Sequence, residues 1–449
     1  MSIKKRYKET LVVSLPIIFT HFVDLLVPFV NTYLAAQMNI DSLAALAIVN
    51  STYMSFMGFC WGLVTSVGIV TSQRIGANNF KNIGLILKSG FILSIIVSII
   101  GMIFFANCKP IWVYLGQNDN VASLAQIGLN GFLIGVVPDI LKYAAFHYCI
   151  SFGKTKIPMI ANIVTLPLIY LVNTILAFGG YGFPEMGIYG LGIGTSFVDW
   201  IILILMIIYI YSHKELGKYL SIKNKLLEYK ELILALFKLG APIGLMFSIE
   251  ISFFMAFSIM IGIISEDALA AYQISHQWVF TVVIIAYGLA EAVIILVGRA
   301  FGAKDLKLAQ TYSFICIIIS ATVVSFASIF YWLIPESFIG FDIDLTKKSN
   351  LSVVNFARSF LIFGGIFQII DSIRIIISGS LRGMNYTQYP MWVTLITYWI
   401  IGFPLSYLLA FHFEMGVNGL WIGLIICASL NALFQYHKLH RVFFKKSSL

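Results

Sequence analysis

The chain has 449 residues, of which 59% are hydrophobic and 11% are charged, and its formal net charge at pH 7 is +9. Because soluble globular domains carry about 25% charged residues, this composition excludes a soluble domain and indicates a membrane protein. The positive net charge does not indicate nucleic-acid binding, because its distribution along the chain fits a membrane topology instead.

Apolar stretches of about twenty or more residues follow one another along the whole chain, as bilayer-spanning helices require. Six such helices in each half leave almost no chain for a domain outside the membrane. We therefore predict an all-α membrane protein with twelve transmembrane helices. The predicted spans are 11–36, 45–72, 87–107, 121–150, 157–178, 186–211, 232–263, 268–297, 307–333, 351–378, 390–411 and 416–435.

The short segments between these spans alternate in charge. With the N-terminus placed inside, 23 lysines and arginines fall on inner segments, whereas the outer segments carry Lys109, Lys347 and Lys348. The positive-inside rule therefore predicts a multi-pass protein of the inner cell membrane with both termini in the cytoplasm. This topology accounts for the basic excess, and we expect no nucleic-acid partner.

The second half of the sequence repeats the first at a nearly constant offset. Asp24 and Glu250 are 226 residues apart, and Asp139 and Asp371 are 232 apart. An even number of spans in each copy makes both copies enter the membrane in the same direction, so we expect two six-helix lobes in a parallel repeat. Further pairs at these two offsets are Pro16 with Pro242, Lys81 with Lys307, and Lys142 with Arg374.

The repeat predicts an N-lobe at 1–211 and a C-lobe at 231–449, which ends in a short basic cytoplasmic tail. Between the lobes, 212–230 is the longest basic and polar stretch. The spacing of Leu and Tyr in this linker suggests a short helix on the inner membrane surface, and a solvated linker is an equally good interpretation. Two parallel lobes are the geometry of an alternating-access transporter.

Six acids fall inside predicted spans, where a charge costs about 2.5–3.5 kcal/mol at the helix centre unless a partner or a function retains it. A transporter driven by H⁺ or Na⁺ needs such acids, because they can hold the coupling ion in one conformation and release it in another. Asp139 and Lys142 are also explained by an intrahelical ion pair. The acids are Asp24, Asp139, Asp199, Glu250, Glu291 and Asp371, accompanied by the bases Lys142, Arg358 and Arg374.

Polar side chains of the first lobe are candidates for a cation site. Asp24 and Asn31 are seven residues apart, and Thr195 and Asp199 are four apart, so each pair lies on one helix face. Together with Asn173 they could form an oxygen-rich cluster of the kind that hard cations or protons favour. Scattered hydrogen bonds between helices are the alternative interpretation.

Two isolated acids of the second half are also candidates. Glu250 lies in the apolar stretch LMFSIEISFFM, which suits a proton carrier, although a passive, permanently protonated glutamate fits the same pattern. Glu291 is equally compatible with a functional and a structural role. The five cysteines are scattered without a CxxC pair, so we predict neither a disulfide nor a metal site. We expect no cofactor besides H⁺ or Na⁺ as the coupling ion.

Several short segments occur in an order that is typical of one transporter family. They are Phe29-Val30-Asn31-Thr32, Gly182-Phe183-Pro184-Glu185, Ala270-Ala271-Tyr272-Gln273, Val297-Gly298-Arg299 and Ser380-Leu381-Arg382-Gly383. Through these segments, nearly the whole chain resembles the MATE (multidrug and toxic compound extrusion) transporters of the NorM-like bacterial branch. The resemblance implies a V-shaped, two-lobed bundle that exports organic cations or toxic compounds against inward H⁺ or Na⁺.

In NorM-like transporters an acid of the seventh helix and one of the tenth form a cation-linked site, and these positions match Glu250 and Asp371. Two positions depart from the family. Asn31 stands where a first-helix acid is usual, and Phe367 stands where relatives often have Tyr. Our hypothesis is that Asp24, two turns before Asn31, substitutes for the missing acid. Secondary candidates for the site are Glu291, Arg374 and Phe367.

A lipid-linked oligosaccharide flippase of the same superfamily is the main alternative. Such proteins have a cationic central cavity, whereas six intramembrane acids against three bases favour a cationic cargo here. A membrane-embedded enzyme is the alternative from another class, but the sequence has no paired GxGD aspartates and no HExxH motif, so we expect no enzyme. The expected partners are small organic substrates and the lipid bilayer, and we expect a monomer.

Overall fold

The computed structural model describes residues 2–220 and 226–445. Within these residues the chain folds into twelve long helices joined by short connections. The helices are α1 (Ile3–Ala36), α2 (Ile40–Gly76), α3 (Ile83–Phe105), α4 (Asp119–Ser151), α5 (Lys156–Phe178), α6 (Gly187–Ser212), α7 (Leu226–Ile264), α8 (Glu266–Gly302), α9 (Leu306–Leu333), α10 (Leu351–Gly383), α11 (Gln388–His412) and α12 (Gly416–Lys445).

The length of these helices fits a bilayer. The shortest have 23 residues, and at 1.5 Å per residue they measure about 34 Å, more than the hydrocarbon core of about 30 Å. In the described part of the chain, all twelve are also apolar enough to span a membrane. The predicted all-α membrane protein with twelve spans is therefore confirmed, and several helices continue past the predicted apolar spans.

The chain divides into two compact units, whose boundaries fall inside helices. The N unit is Phe19–Gly244, and the C unit is Met1–Ile18 together with Leu245–Leu449. Helix α1 thus contributes its first part to the C unit, and α7 contributes its first part to the N unit. The breaks after residues 18 and 244 are 226 residues apart, which is the repeat offset. The lobe boundaries at 211 and 231 that the sequence suggests fall between helices in chain order. They differ from the unit boundaries because a sequence repeat does not show which helices each half of α1 or α7 packs against.

Two glycines allow these half-helices to pack closely within their units. In the N unit, Gly240 of α7 lies so close to the backbone of Leu63 on α2 that a Cβ atom would clash. In the C unit, a Cβ atom on Gly288 of α8 would meet Cγ1 and Cα of Ile18 on α1 at 2.6 and 2.8 Å. Small residues are the usual means by which membrane helices approach each other, because hydrophobic burial provides little driving force in lipid.

The central helix of each unit is the fourth helix of the corresponding sequence repeat. In the N unit, α4 packs against α2, α3 and α6, and in the C unit α10 packs against α8, α9 and α12. These are equivalent positions of the two sequence copies. The charged pairs predicted from the sequence, Asp139 with Lys142 and Asp371 with Arg374, lie on these central helices, and all four residues are buried.

Helix α11 differs from its repeat counterpart α5 in backbone geometry. Two stretches of α11, Leu395–Gly402 and Leu408–His412, are π-helical, whereas α5 is a regular α-helix. Pro404 lies between the two stretches and lacks the N–H that would bond the carbonyl four residues earlier, so the wider turn is accommodated there. Tyr398 therefore lies in a π-helical segment, whereas the corresponding helix α5 of the N unit is α-helical throughout.

The predicted linker is described in part, since residues 221–225 lie outside the described residues. Its first part contains a short helix, Lys214–Gly217. Leu216 of this helix is buried, and its carbonyl accepts a hydrogen bond of 3.2 Å from the hydroxyl of Tyr148. The end of the predicted basic tail, from residue 446, also lies outside the described residues.

Candidate functional site

Three charged side chains meet inside the C unit. The guanidinium of Arg374 on α10 places Nη1 2.6 Å from Oε1 of Glu250 on α7 and Nε 2.6 Å from Oδ1 of Asp371. All three side chains are buried. We call these three residues the Arg374 triad. It unites the two acids that the family resemblance selected, with Arg374, a secondary candidate, at its centre.

The local structure explains this arrangement. Asp371 and Arg374 are one turn apart on α10, so their side chains lie on the same face of the helix. Because α10 is the central helix of the unit, this face is enclosed by other helices. Glu250 comes from the part of α7 that belongs to the C unit, eight residues after Pro242.

Two tyrosines from other helices complete the triad. The hydroxyl of Tyr287 on α8 donates a long hydrogen bond of 3.5 Å to Oε2 of Glu250, and that of Tyr398 on α11 donates one of 3.5 Å to Oδ1 of Asp371. The guanidinium of Arg374 also lies 5.8 Å from the centre of the Tyr398 ring. Each acid therefore has one cationic and one phenolic partner.

Phe367 lies one turn before Asp371 and has no hydroxyl to offer. It is buried and packs edge-on against Phe254, with 6.0 Å between ring centroids and 76° between planes. In this chain the aromatic ring of residue 367 belongs to the packing around the triad.

The charge of the triad determines its chemistry. With both acids ionised, the three buried side chains sum to −1, and the buried guanidinium of Arg382 also acts electrostatically on Glu250. A buried net charge costs several kcal/mol unless a counter-charge joins it. Within the described residues, no set of three or more His, Cys, Asp or Glu is placed to hold a metal ion. A proton or one monovalent cation would bring the sum of the three charges to zero.

The N unit contains a second buried set of three charges. The ammonium nitrogen of Lys142 lies 2.6 Å from Oδ1 of Asp199 on α6 and 3.3 Å from Oδ1 of Asp139 on its own helix. Oδ2 of Asp139 accepts a hydrogen bond of 3.0 Å from the hydroxyl of Tyr53 on α2. We call Lys142, Asp139 and Asp199 the Lys142 triad. The intrahelical pair is present, but the shorter contact joins two helices.

Asp24 has different surroundings from its repeat counterpart Glu250. Its carboxylate accepts hydrogen bonds of 2.8 Å from the hydroxyl of Tyr143 and 2.7 Å from Nδ2 of Asn162. The side chain is half-buried. Asp24 thus has hydrogen bonds from neutral donors and an electrostatic attraction to Lys142, whereas Glu250 forms a direct ion pair with Arg374.

Asn31, Asn173 and Thr195 form a separate buried network. Nδ2 of Asn173 donates to Oδ1 of Asn31 at 2.7 Å and to Oγ1 of Thr195 at 3.0 Å, and Nδ2 of Asn31 lies 3.5 Å from the same Oγ1. The five polar residues that the sequence suggested for the first lobe are therefore distributed over three sets of contacts. Asp24 and Asp199 each take part in a different set from Asn31.

Three further charged residues lie on α8 and α10. Glu291 is half-buried on α8. Arg382 is buried near the end of α10, with its guanidinium 5.7 Å from the centre of the Phe247 ring, and it interacts electrostatically with Glu250 and Arg374. Arg358, which the sequence placed inside a span, forms a 2.8 Å ion pair with Glu336, and both side chains are about half exposed. Arg358 is thus part of the surface and not of a buried site.

Several residues of these sites were not selected from the sequence. The lysine of the Lys142 triad was interpreted only as the partner of Asp139, although its repeat counterpart is Arg374. That correspondence was the available signal. Nothing local in the sequence indicates the hydrogen-bonding residues of these sites, which are Tyr53, Tyr143, Asn162, Tyr287 and Tyr398.

Similarities to known proteins agree with the repeat and the fold. The MatE family model matches residues 16–176 and 242–408. The whole chain is 30% identical to the "Probable multidrug resistance protein NorM" of Oceanobacillus iheyensis, of which it covers 99%. It is 29% identical to a protein of the same name from Agrobacterium fabrum, over 95% of this chain and 92% of that protein.

Among solved structures, the MATE transporter VcmN of Vibrio cholerae in the bent form has a TM-score of 0.85. The match covers 98% of this chain and 99% of that chain at 17% sequence identity. At this identity the likeness concerns the fold.

Proposed function

This chain belongs to the MatE family, and we propose that it is a secondary active exporter of small organic compounds driven by inward movement of H⁺ or Na⁺. The resemblance drawn from the sequence motifs is confirmed by the family match over both repeats. The chain is a multi-pass membrane protein with twelve spans in its described residues. The coupling ion, its site and the class of substrate are our proposals.

The Arg374 triad is the observation that supports this function most directly. Its two acids come from α7 and α10, and one guanidinium bridges them with two contacts of 2.6 Å. A purely structural ion pair needs one acid for one base. The additional carboxylate gives the triad a charge of −1, which a coupling cation can neutralise.

Cation binding changes the link between the two helices. When a proton or Na⁺ neutralises Glu250, Arg374 retains Asp371 on its own helix, and its attraction to α7 is weakened. Release of the cation restores the ion pair between α7 and α10. The triad thereby links the arrangement of these helices to its cation occupancy, as alternating access requires.

The energy available from one cation is sufficient for export. One charge moving through 100 mV provides about 2.3 kcal/mol, which supports a roughly fifty-fold gradient of an uncharged substrate at about 1.4 kcal/mol per factor of ten. A monovalent organic cation exchanged one for one carries the same charge outwards, so its export depends on the concentration gradient of the coupling cation. We propose organic cations as the preferred substrates, since acids outnumber bases among the intramembrane side chains. In the N unit, we propose that an acid also takes part, with Asp24 and Asp199 as the candidates.

The positive-inside distribution further supports insertion in the inner membrane with both termini in the cytoplasm. The compact units are formed by one chain, and we propose that the monomer is the transporting form. Neither proposal affects the role of the Arg374 triad, which lies within the C unit.

Transport into proteoliposomes tests the proposal. Purified full-length protein is reconstituted, and the movement of ethidium, rhodamine 6G and tetraphenylphosphonium is followed under an imposed pH gradient or an imposed Na⁺ gradient. We expect at least one probe to move against its gradient with one of the two cations. Absence of any response to both cations would contradict the proposal.

Variants of the triad locate the coupling site. We expect Glu250→Gln and Asp371→Asn to lose cation-driven accumulation, whereas Glu336→Gln, which removes an acid from an exposed ion pair, retains it. Full coupling in both triad variants would exclude the Arg374 triad as the site and leave antiport itself unaffected.

A further inference from the structure

We propose that the Lys142 triad is a second cation site, so that two monovalent cations are exchanged in each transport cycle, one in each unit. This inference rests on the proposed antiport function and adds its stoichiometry and the residues of the second site. It assigns the N-unit site to Asp199 and Asp139 with Lys142, and not to Asp24 or Asn31.

The first argument is the equivalence of the two triads. Lys142 and Arg374 occupy the same repeat position on the central helices α4 and α10, each three residues after an aspartate. Each base makes its two short contacts with that aspartate and with an acid of another helix. The second acid differs in origin, because Asp199 comes from α6 whereas Glu250 comes from α7. The N unit thus has the same charge arrangement built from a different partner helix.

The second argument is charge and burial. With both aspartates ionised, the Lys142 triad sums to −1, as the Arg374 triad does, and its three side chains are between 7% and 8% exposed. A buried surplus charge needs a counter-charge. The titratable groups that act on the triad are Tyr53 and Cys60 from α2 and Asp24 from α1.

The other polar groups of the N unit fit this role less well. Asp24 is half-buried and accepts two hydrogen bonds from neutral donors, Tyr143 and Asn162, and Lys142 acts on it electrostatically. The network of Asn31, Asn173 and Thr195 carries no charge that a cation would neutralise. We therefore place the second site on the buried carboxylates of the Lys142 triad.

The chemical change is a single protonation or coordination. An incoming proton forms an O–H bond on the carboxylate of Asp199, and the charge of the triad changes from −1 to 0. Lys142 keeps its three protons and its contact with Asp139, so no further bond forms or breaks. If the coupling ion is Na⁺, it is bound by the same carboxylate oxygens with the same change of charge.

A measurement of stoichiometry tests the inference. Proteoliposomes are held at zero membrane potential with K⁺ and valinomycin, and the limiting accumulation of the responsive probe is measured against the imposed H⁺ or Na⁺ gradient. Each exchanged cation contributes one power of ten in probe gradient per tenfold cation gradient. We expect about 100-fold accumulation per tenfold cation gradient in the native protein, and about tenfold in Asp199→Asn and Asp139→Asn.

The matched controls distinguish the loss of the cation site from misfolding of the variant. Asp119→Asn changes an exposed acid paired with Lys109 and is expected to keep the 100-fold limit. Exchange of labelled for unlabelled probe without a cation gradient reports whether a variant is folded. If Asp199→Asn fails in exchange, Asp139→Asn decides, because it leaves the shorter contact of Lys142 intact.

Each outcome has one meaning. A tenfold limit in the native protein would overturn the inference and leave the proposed antiport standing. A 100-fold limit retained in a folded Asp199→Asn or Asp139→Asn variant would overturn it as well, and a reduction in Asp24→Asn alone would transfer the site to Asp24. Failure of the native protein to respond to either cation would reject the proposed function itself.

Discussion

Arg374 joins α10 to α7 through a 2.6 Å contact between its Nη1 atom and Oε1 of Glu250, which lies 124 residues away in the sequence. The contact is buried, so neither partner can exchange it for water. Leaving one buried charge without its partner costs more free energy than the intact ion pair contributes to stability. We therefore expect substitutions that remove one partner to be strongly destabilising.

Replacing Arg374 by Met is expected to destabilise the protein strongly. It leaves Glu250 and Asp371 buried without their common base, which costs about 3–5 kcal/mol. The melting temperature of the detergent-solubilised protein measures the effect. Arg358→Met is the matched control, because its ion pair with Glu336 is half exposed and should contribute less than about 1 kcal/mol. Equal losses in the two variants would contradict the role of burial.

Gly194→Ala should disrupt the polar network of the N unit. A Cβ atom at this position would collide with Oδ1 of Asn173, which accompanies Asn31 and Thr195 in that network. Displacing Asn173 leaves buried groups without partners, at about 1–3 kcal/mol. The melting temperature should fall accordingly.

Gly262→Ala is the control for this prediction. The nearest atom to a Cβ there is the end of the Leu269 side chain at 3.3 Å, and alanine is better than glycine within a helix by about 0.5–1 kcal/mol. We expect its stability to be unchanged or raised. A fall equal to that of Gly194→Ala would show that helix context, and not Asn173, is responsible.

Pro404→Ala is expected to shorten the π-helical stretches of α11. The new N–H can bond the carbonyl four residues earlier, so the turn can contract towards an α-helix. Tyr398 would then rotate away from Asp371, and cation-driven accumulation of the probe should fall. A structure of the variant checks the geometry. Pro167→Ala in α5, which is already a regular α-helix, should leave helix geometry unchanged.

Glu215 should make one surface contact sensitive to acid. The ammonium of Lys154 lies 2.7 Å from its carboxylate, and this hydrogen bond lowers the pKa of Glu215 below its usual value of 4.5. A lowered pKa in the folded state means that the stabilisation is present above the usual pKa and is lost as the pH falls through the folded-state value. The effect is small, because Glu215 is exposed.

The measurement is the difference in melting temperature between the native protein and Glu215→Gln as a function of pH. We expect the difference to be largest near neutral pH and to disappear as the pH falls through the lowered pKa of Glu215. Lys154→Met should show the same trend. A difference that increases as the pH falls would contradict the pairing.

Local sequence patterns were sufficient to predict the helices and the ion pairs within one helix. Hydropathy over a span reports length and burial in lipid, and a spacing of three residues reports a shared face, so the pairing of Asp371 with Arg374 could be expected. The repeat also indicated that Lys142 corresponds to Arg374. These features depend on residues that are close in the chain or in the alignment of its two halves.

Contacts between different helices could not be predicted from the sequence. Asp199 is 57 residues from Lys142, and no local spacing distinguishes this partner from the other acids of the N unit. The assignment of Asp199 to the cluster around Asn31 followed from a shared helix face with Thr195, but a face of α6 is wide enough to contact both α4 and α1. Which neighbour lies against each part of that face is decided by tertiary packing.

The division of α1 and α7 between the units has a consequence for how the protein is made. Domains generally form as their chain emerges from the ribosome. The segment up to Ile18 is synthesised first, yet the rest of its unit begins only at Leu245. The N unit, in turn, is incomplete until Gly244 has been translated. Neither unit can therefore be finished before synthesis has passed the middle of the chain, and cutting the chain between α6 and α7 would yield two fragments that each lack a piece of their own unit.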